Sequence, residues 1–465
     1  MNSRFARIES FTAFQVVVLG VFSTWAFGGG AGWATTVISL LGSLAPFITL
    51  AAVRERRTTG QLSGTPFLLL LPLLAFNALV LISTLQPSLR IAFIEGANVY
   101  VPRADLSAWP SSARPELALK QLWLFDAIAL TCFNLLFAIR RKRTLRTVLL
   151  VLATNALTLA VFGSVQKFVG ASGLFFGHVA SPNTSFFASF IYHNHWGAFA
   201  VLMLAVCLGL LFNLRPWTGY RDFWHSPALA AVVAIFFLAV TIPLSASRSC
   251  SMLAVVLLAA ALIHGLRRVA QYHKTEGKPT FGPSISLAVT VLIAFTALIG
   301  LTREVIETRT ADTQAQLAHM QTIGSLGARA QLYHDTWRMA GEQPWFGWGL
   351  GSYGTVFSFY NTQTSPIDKL PVYYADAHSD WLQLFAETGA IGTLLFLGFL
   401  LAPLLTLRRR TITTLPRYLF AGCGLILLYA CIEFPFGNPA VTLTFWICYF
   451  AAVRWAQLDQ RERTS

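Results

Sequence analysis

Residues 227–266 read PALAAVVAIFFLAVTIPL, then SASRS, then CSMLAVVLLAAALIHGL. Two apolar runs, each long enough to cross about 30 Å of hydrocarbon as a helix, are joined by a short turn that carries one arginine. Inside lipid every backbone amide needs an internal partner, so such runs are helices rather than open strands. The stretch therefore reads as a transmembrane hairpin, 227–244 and 250–266, with Arg248 at its tip.

The pattern recurs along the whole chain. Apolar runs at 11–27, 33–53, 66–85, 121–139, 147–168, 195–213, 227–244, 250–266, 284–301, 388–407, 417–432 and 439–456 predict about twelve transmembrane helices. Composition agrees: 55% of the 465 residues are hydrophobic and 12% are charged, about half the charged fraction of a soluble domain. The expected fold class is all-α, a polytopic membrane helix bundle. The first run is too long for a removable signal peptide and lacks a small-residue cleavage site, so it reads as an uncleaved anchor.

Charge orients the bundle. Most of the 34 Lys and Arg residues fall in alternate connections, among them Arg54, Arg56 and Arg57, then Arg140 to Arg143, then Arg408 to Arg410. The positive-inside rule then places both termini in the cytoplasm, with the chain spanning the membrane among its lipids. The net charge of +14 is a topology signal. No basic face is interleaved with aromatics, so nothing points to a nucleic-acid partner. The six cysteines lie in or at the edges of apolar runs without a CxxC pair, which argues against a disulfide framework or a metal cluster.

Three outer segments exceed what a connection requires: 86–120, 169–194 and about 302–387. They divide the chain into 1–301, with nine helices and the two shorter loops; the large loop 302–387; and 388–465, with three helices and a cytoplasmic tail. In the large loop, Arg303 to Gln321 reads as a solvated helix and Ala328 to Ala340 as an amphipathic one. A glycine-rich aromatic turn follows at 344–351. Ser379 is placed to N-cap a helix from Trp381 to Thr388, which Gly389 would close. Long ordered loops usually carry function.

Several ionisable residues sit where chemistry is plausible. Arg248, held at the head-group boundary, suits a phosphate of a lipid-linked molecule through its planar fork; the bland alternative is an arginine that snorkels to the interface. Arg329 and Arg338 lie on opposite sides of their helix, about 180° apart, so one can face substrate while the other pairs with a carboxylate such as Asp335. His378, between Asp376 and Asp380, has the side chain most used as a general base, and a neighbouring carboxylate would fix its tautomer; a structural histidine is the plainer alternative. His193 and His195 make a poor metal clamp, because residues two apart diverge on a helix. No HExxH or DxD motif supports a zinc site or a magnesium-held sugar nucleotide. Asp126 in the fourth span and Glu433 at the outer end of the eleventh are acids near membrane depth, where function and structural pairing compete as explanations.

Taken together these residues resemble the O-antigen ligase and polymerase superfamily. Ser245-Ala-Ser-Arg248 is similar to that family's short Ser/Arg turn. Arg329 through Trp337, followed by Gln343-Pro-Trp-Phe-Gly-Trp-Gly-Leu-Gly351, resembles its large-loop pattern. Ala377-His378-Ser379-Asp380-Trp381, with Glu387-Thr-Gly389-Ala-Ile-Gly392, is similar to its "AHN…E-x-G-x-x-G" ending, although Ser379 stands where Asn is common. Glu433-Phe-Pro-Phe resembles a stretch in which the family often has Asp, and His193-Asn194-His195-Trp196 resembles the opening of span six.

The resemblance implies metal-independent, inverting glycosyl transfer at the periplasmic face, from a polyprenyl-diphosphate-linked glycan to an acceptor hydroxyl on lipid A core, a glycan or a protein. A sugar diphosphate leaves readily once its charge is matched, so the site needs cations and one base rather than the carboxyl pair of a glycosidase. In that reading His378 is the base and Arg248 and Arg329 bind the diphosphate. Arg338, Asp376, Asp380, Glu387, Glu433, His195 and Asp126 would support them, with no metal and no cofactor. A polysaccharide polymerase or a protein O-glycosylating transferase would share the donor chemistry. A secondary transporter is the rival of another class, but the polar residues cluster outside rather than at the midplane.

Overall fold

Helix α7 (His193–Asn213) is buried without interruption from Trp196 to Leu210. A helix that is apolar on every face has no solvent side and takes the centre of a bundle. The computed structural model describes residues 3–58, 65–94, 96–103, 109–183, 185–214, 227–276, 325–365, 370–407 and 412–464. In it, α6 (Lys142–Phe168), α8 (Pro227–Leu244), α9 (Arg248–Glu276), α13 (Thr414–Tyr429) and α14 (Pro439–Thr464) pack around α7. Outside them lie α1 (Ser3–Trp25), α2 (Gly32–Gly42), α3 (Ala45–Thr58), α4 (Thr65–Thr84) and α5 (Pro115–Ala138).

Small residues and buried amides join these helices, as expected where lipid removes the hydrophobic drive between them. A Cβ on Gly422 of α13 would lie 2.6 Å from the Ala205 Cβ of α7, so glycine there sets the approach of the two backbones. Asn155 of α6 accepts from the Trp25 indole at 2.8 Å and donates to Thr24 at 2.9 Å, joining α6 to α1. At the other end of the bundle, Arg56 and Arg454 donate to the carbonyls of Phe137 and Ile139. Those carbonyls end α5 and have no partner within it.

Among the described residues, nine helical segments are long and apolar enough to cross a membrane, from Phe5–Trp25 to Asp380–Thr406. They coincide with nine of the expected spans, and α13 and α14 fall on two more. The expected span 284–301, the helix Arg303 to Gln321, and Arg408 to Arg410 lie outside the described residues. The protein is an all-α polytopic membrane protein.

The outer segments form a second layer. Residues 86–120, read above as a loop, contain an antiparallel hairpin, β1 (Leu89–Ile94) and β2 (Ala97–Pro102). Gly96, at φ 84°, supplies the left-handed residue of its tight connection. The described part of the large loop comprises α10 (Ser325–Glu342), the short α11 (Tyr353–Val356) and the start of α12 (Asp380–Leu401). Leu89 and Ala113 share one core with Leu332, Met339, Trp348 and Phe357, so the first and third outer segments fold as one layer.

The glycine-rich turn fastens that layer to the bundle. Gly347, Gly349 and Gly351 all have positive φ, and the turn lies backbone against backbone on α12. The amides of Trp348 and Gly349 donate to Ala386 and Glu387 at 3.0 and 2.8 Å, and Ala390 donates back to Pro344 at 2.8 Å. Gly389, at φ 64° and ψ −171°, interrupts the helix as expected, yet α12 continues beyond it to Leu401. A Cβ on Gly347 would sit 2.3 Å from the Glu387 carbonyl carbon, whereas one on Gly341 meets nothing within 4 Å. Gly347→Ala should therefore lower the thermal midpoint of the detergent-solubilised protein by several degrees, a loss of about 2 kcal/mol or more. Gly341→Ala should leave it unchanged or raise it slightly. Equal midpoints for the two variants would contradict this docking.

Candidate functional site

A buried carboxylate gathers the site. Glu433 lies between α13 and α14, with its side chain only 6% exposed. An acid so buried must be paired to remain charged. Arg329 of α10 approaches one of its oxygens at 2.8 Å. His378 Nδ1 lies 3.6 Å from the other, at ion-pair distance though longer than an ordinary hydrogen bond. Asn194, near the start of α7, donates to Glu433 across a long 3.4 Å. Ser247 in turn donates to Asn194 at 2.6 Å. Three segments far apart in sequence thus converge on one side chain, and a fourth, at Ser247, joins them through Asn194.

The neighbour of Glu433 holds the rings in place. His378, His195 and Tyr192 all pack on Phe434, the two histidines edge-on at 5.0 and 5.3 Å and the tyrosine stacked at 5.5 Å. His195 Nε2 lies 3.3 Å from the Phe434 carbonyl, so this histidine is part of the scaffold. The Tyr333 hydroxyl donates to the His378 carbonyl at 2.9 Å. His378 itself has φ 51° and Ala246, in the Ser/Arg turn, φ 69°. Left-handed backbone in residues with a Cβ costs energy and persists only where the surroundings enforce it; here it occurs in both turns that frame the cluster.

The remaining expected residues divide by geometry. Arg329 and Arg338 diverge as their spacing requires: Arg329 turns to Glu433, and Arg338 lies 3.9 Å from Asp335. Burial alone would push the Asp335 carboxyl up, but hydrogen bonds from Thr362 and Gln331 outweigh it and hold its pKa low. Arg248 opens α9 beside Ser247, is exposed, and makes no ion pair among the described residues. Glu387 is buried and accepts from the amides of Gly351 and Tyr353 at 2.8 and 3.2 Å; it anchors the glycine-rich turn. The Ser379 hydroxyl caps α12 by accepting from the Leu382 amide, while Asp380 accepts from the Phe436 amide at 2.9 Å. Asp126 accepts from Asn77 of α4 at 2.9 Å, joining α5 to α4.

Asn194, Ser247, Phe434 and Tyr333 were not singled out by sequence reasoning. All four sit inside stretches already quoted; for the first three the sequence signal is adjacency to His195, Arg248 and Glu433, whereas Tyr333 has no such neighbour.

The charge state of Glu433 can be tested. Burial pushes its carboxyl up, but His378 and Arg329 more than offset this and hold it below its ordinary value, about 4.3. Such a group adds stability that is fully present above its unfolded pKa and is lost as pH falls through the lower folded value. Thermal midpoints measured in an acid-stable detergent should fall for wild type as pH drops below about 4.3. Glu433→Gln should be less stable near neutrality and should show a flatter acid limb. Parallel pH profiles for the two proteins would show that the cluster does not form.

The family model described as O-Antigen ligase matches residues 233–397. No curated protein matches the chain. The matched stretch begins in α8, contains Arg248, Arg329 and His378, and ends in α12; Glu433 and Asn194 lie beyond it. Over this stretch, about a third of the chain, the protein is similar to the O-antigen ligase domain, and the match supports ligase-type glycosyl transfer in general.

Proposed function

We propose that the protein moves a glycan from a polyprenyl diphosphate carrier to an acceptor hydroxyl, on lipid A core or a similar molecule, at the periplasmic face of the inner membrane. The observation that carries this reading is the meeting of His378 and Arg329 on Glu433. With Nδ1 turned to the carboxylate, His378 Nε2 is left to take the proton of the incoming hydroxyl, and Glu433 balances the imidazolium that forms. Arg329 uses one nitrogen on Glu433; its side chain is about half exposed, and its other donors remain for an anion. Arg248 provides a second guanidinium beside the Ser247–Asn194–Glu433 chain of hydrogen bonds.

The step balances without a metal. The acceptor oxygen bonds to the anomeric carbon as the bond from that carbon to the diphosphate oxygen breaks. The proton goes to His378, and polyprenyl diphosphate departs as an anion matched by the two arginines. Attack opposite the leaving group inverts the anomeric centre. Purified protein given a polyprenyl-diphosphate-linked glycan should release polyprenyl diphosphate only when an acceptor is present. His378→Ala should slow release by about 10²–10⁴-fold, and Arg329→Ala should raise the KM for donor. Wild-type rates in His378→Ala would overturn the mechanism.

A further inference from the structure

A cavity of about 540 Å³ lies beside the His378 turn, and its walls include none of Arg248, Arg329, Glu433 and Asn194. Its polar lining includes Lys120 and Gln121 near the start of α5, and Asp376, Asp380 and Gln383, with Trp381. Further along α5 the lining turns apolar at Phe125 and Ile128, joined by Phe76 and Phe396, all inside candidate membrane spans. The volume is typical of a site for a single small ligand, and a largely apolar wall with a few convergent polar groups is the usual makeup of such sites.

Two of the polar groups await partners. Asp376 accepts no hydrogen bond among the described residues, and Lys120 makes no ion pair among them. Asp376 is partly buried, so water satisfies it less well than at an open surface, and burial raises its pKa against the opposing pull of His378. Asp376 stands two residues before His378 in the same turn, so a group held on it lies beside that turn.

We propose that this cavity seats the acceptor, a glycolipid whose hydroxylated sugar lies between Asp376, Lys120 and Gln121 and whose acyl chain lies among Phe76, Phe125 and Phe396. The inference rests on the transfer reading above and adds to it the seat of the acceptor. A sugar offers hydroxyl donors to Asp376, acceptors to Lys120 and Gln121, and an apolar ring face to Trp381. The chain explains why a polar pocket continues into the span interior. Arg329 and Arg248 then serve the donor from one side of His378, and Asp376 delivers the acceptor hydroxyl from the other.

The test uses the full chain in phosphatidylcholine nanodiscs and an alkyl β-glucoside with a diazirine at the end of its chain. Irradiation should label peptides of α4, α5 or α12 that contain Phe76, Phe125 or Phe396. Octyl β-glucoside should compete and octanol should not. Asp376→Asn and Lys120→Gln should each weaken that competition at least about five-fold, the effect of one lost hydrogen bond. Equal competition by octanol would mean that the cavity takes any bilayer chain, and wild-type labelling in both variants would mean that the sugar sits elsewhere; either result overturns the proposal. Labelling needs neither donor nor turnover. A protein that binds the glucoside here but never releases polyprenyl diphosphate would therefore refute the transfer reading and leave the glycolipid seat standing.

Discussion

A carboxylate taken out of water must find compensation, and Glu433 finds it in three directions at once. Its two oxygens face a guanidinium, an imidazole and an amide drawn from α10, the turn before α12, and α7. Removing any one partner leaves the others around a poorly satisfied buried charge, so the segments hold one another in register. Arg329 alone, on a half-exposed side chain, would contribute little as a surface ion pair. Its value lies in geometry: it fixes α10, and with α10 the outer layer, over the end of the bundle where His378 sits.

The second constraint is backbone contact without side chains. Three glycines at positive φ let residues 344–351 lie directly on α12, and Glu387, inside the helix, satisfies amides of the turn from below. Any Cβ at Gly347 or Gly389 would enter the opposing backbone. This junction sets where α12 begins, Ser379 caps it, and His378 is the residue immediately before the cap. The left-handed conformation at His378 is the cost of aiming a side chain from that point toward Phe434 and Glu433.

The bundle was legible in the sequence because its signal is one-dimensional: about 20 apolar residues in a row announce a span without knowledge of any neighbour. Arg329 and Arg338 show where that kind of reading stops. Their spacing showed that they diverge, but only the position of Glu433, about a hundred residues further on, decides which one faces the cluster. The β-hairpin at 89–102 was missed because prolines and loop length dominated the reading, although β-branched and aromatic residues around a glycine are a recognisable hairpin pattern. Asn194 and Ser247 were passed over for the charged residues beside them. Uncharged groups that transmit a hydrogen bond between two motifs carry no mark of that role until the motifs are brought together.

His378 also separates two environments with different demands. On the side of Arg329 and Glu433, opposite charges lie close together and half open to solvent, conditions suited to an anion that must bind and then leave. On the side of Asp376 the lining combines a carboxyl group, the Lys120 side chain and amides with apolar rings, a mixture that suits a hydroxylated head on a hydrocarbon chain. A base that serves an inverting displacement has to stand where the two reactants meet from opposite directions, since the nucleophile arrives behind the bond that breaks. In the proposed reading the turn at His378, capped by Ser379 and packed on Phe434, would meet that requirement. On the transfer proposed above, a diphosphate-binding side and a hydroxyl-binding side meeting at one histidine is what a transferase requires, whereas a transporter would be expected to gather its polar groups at the midplane.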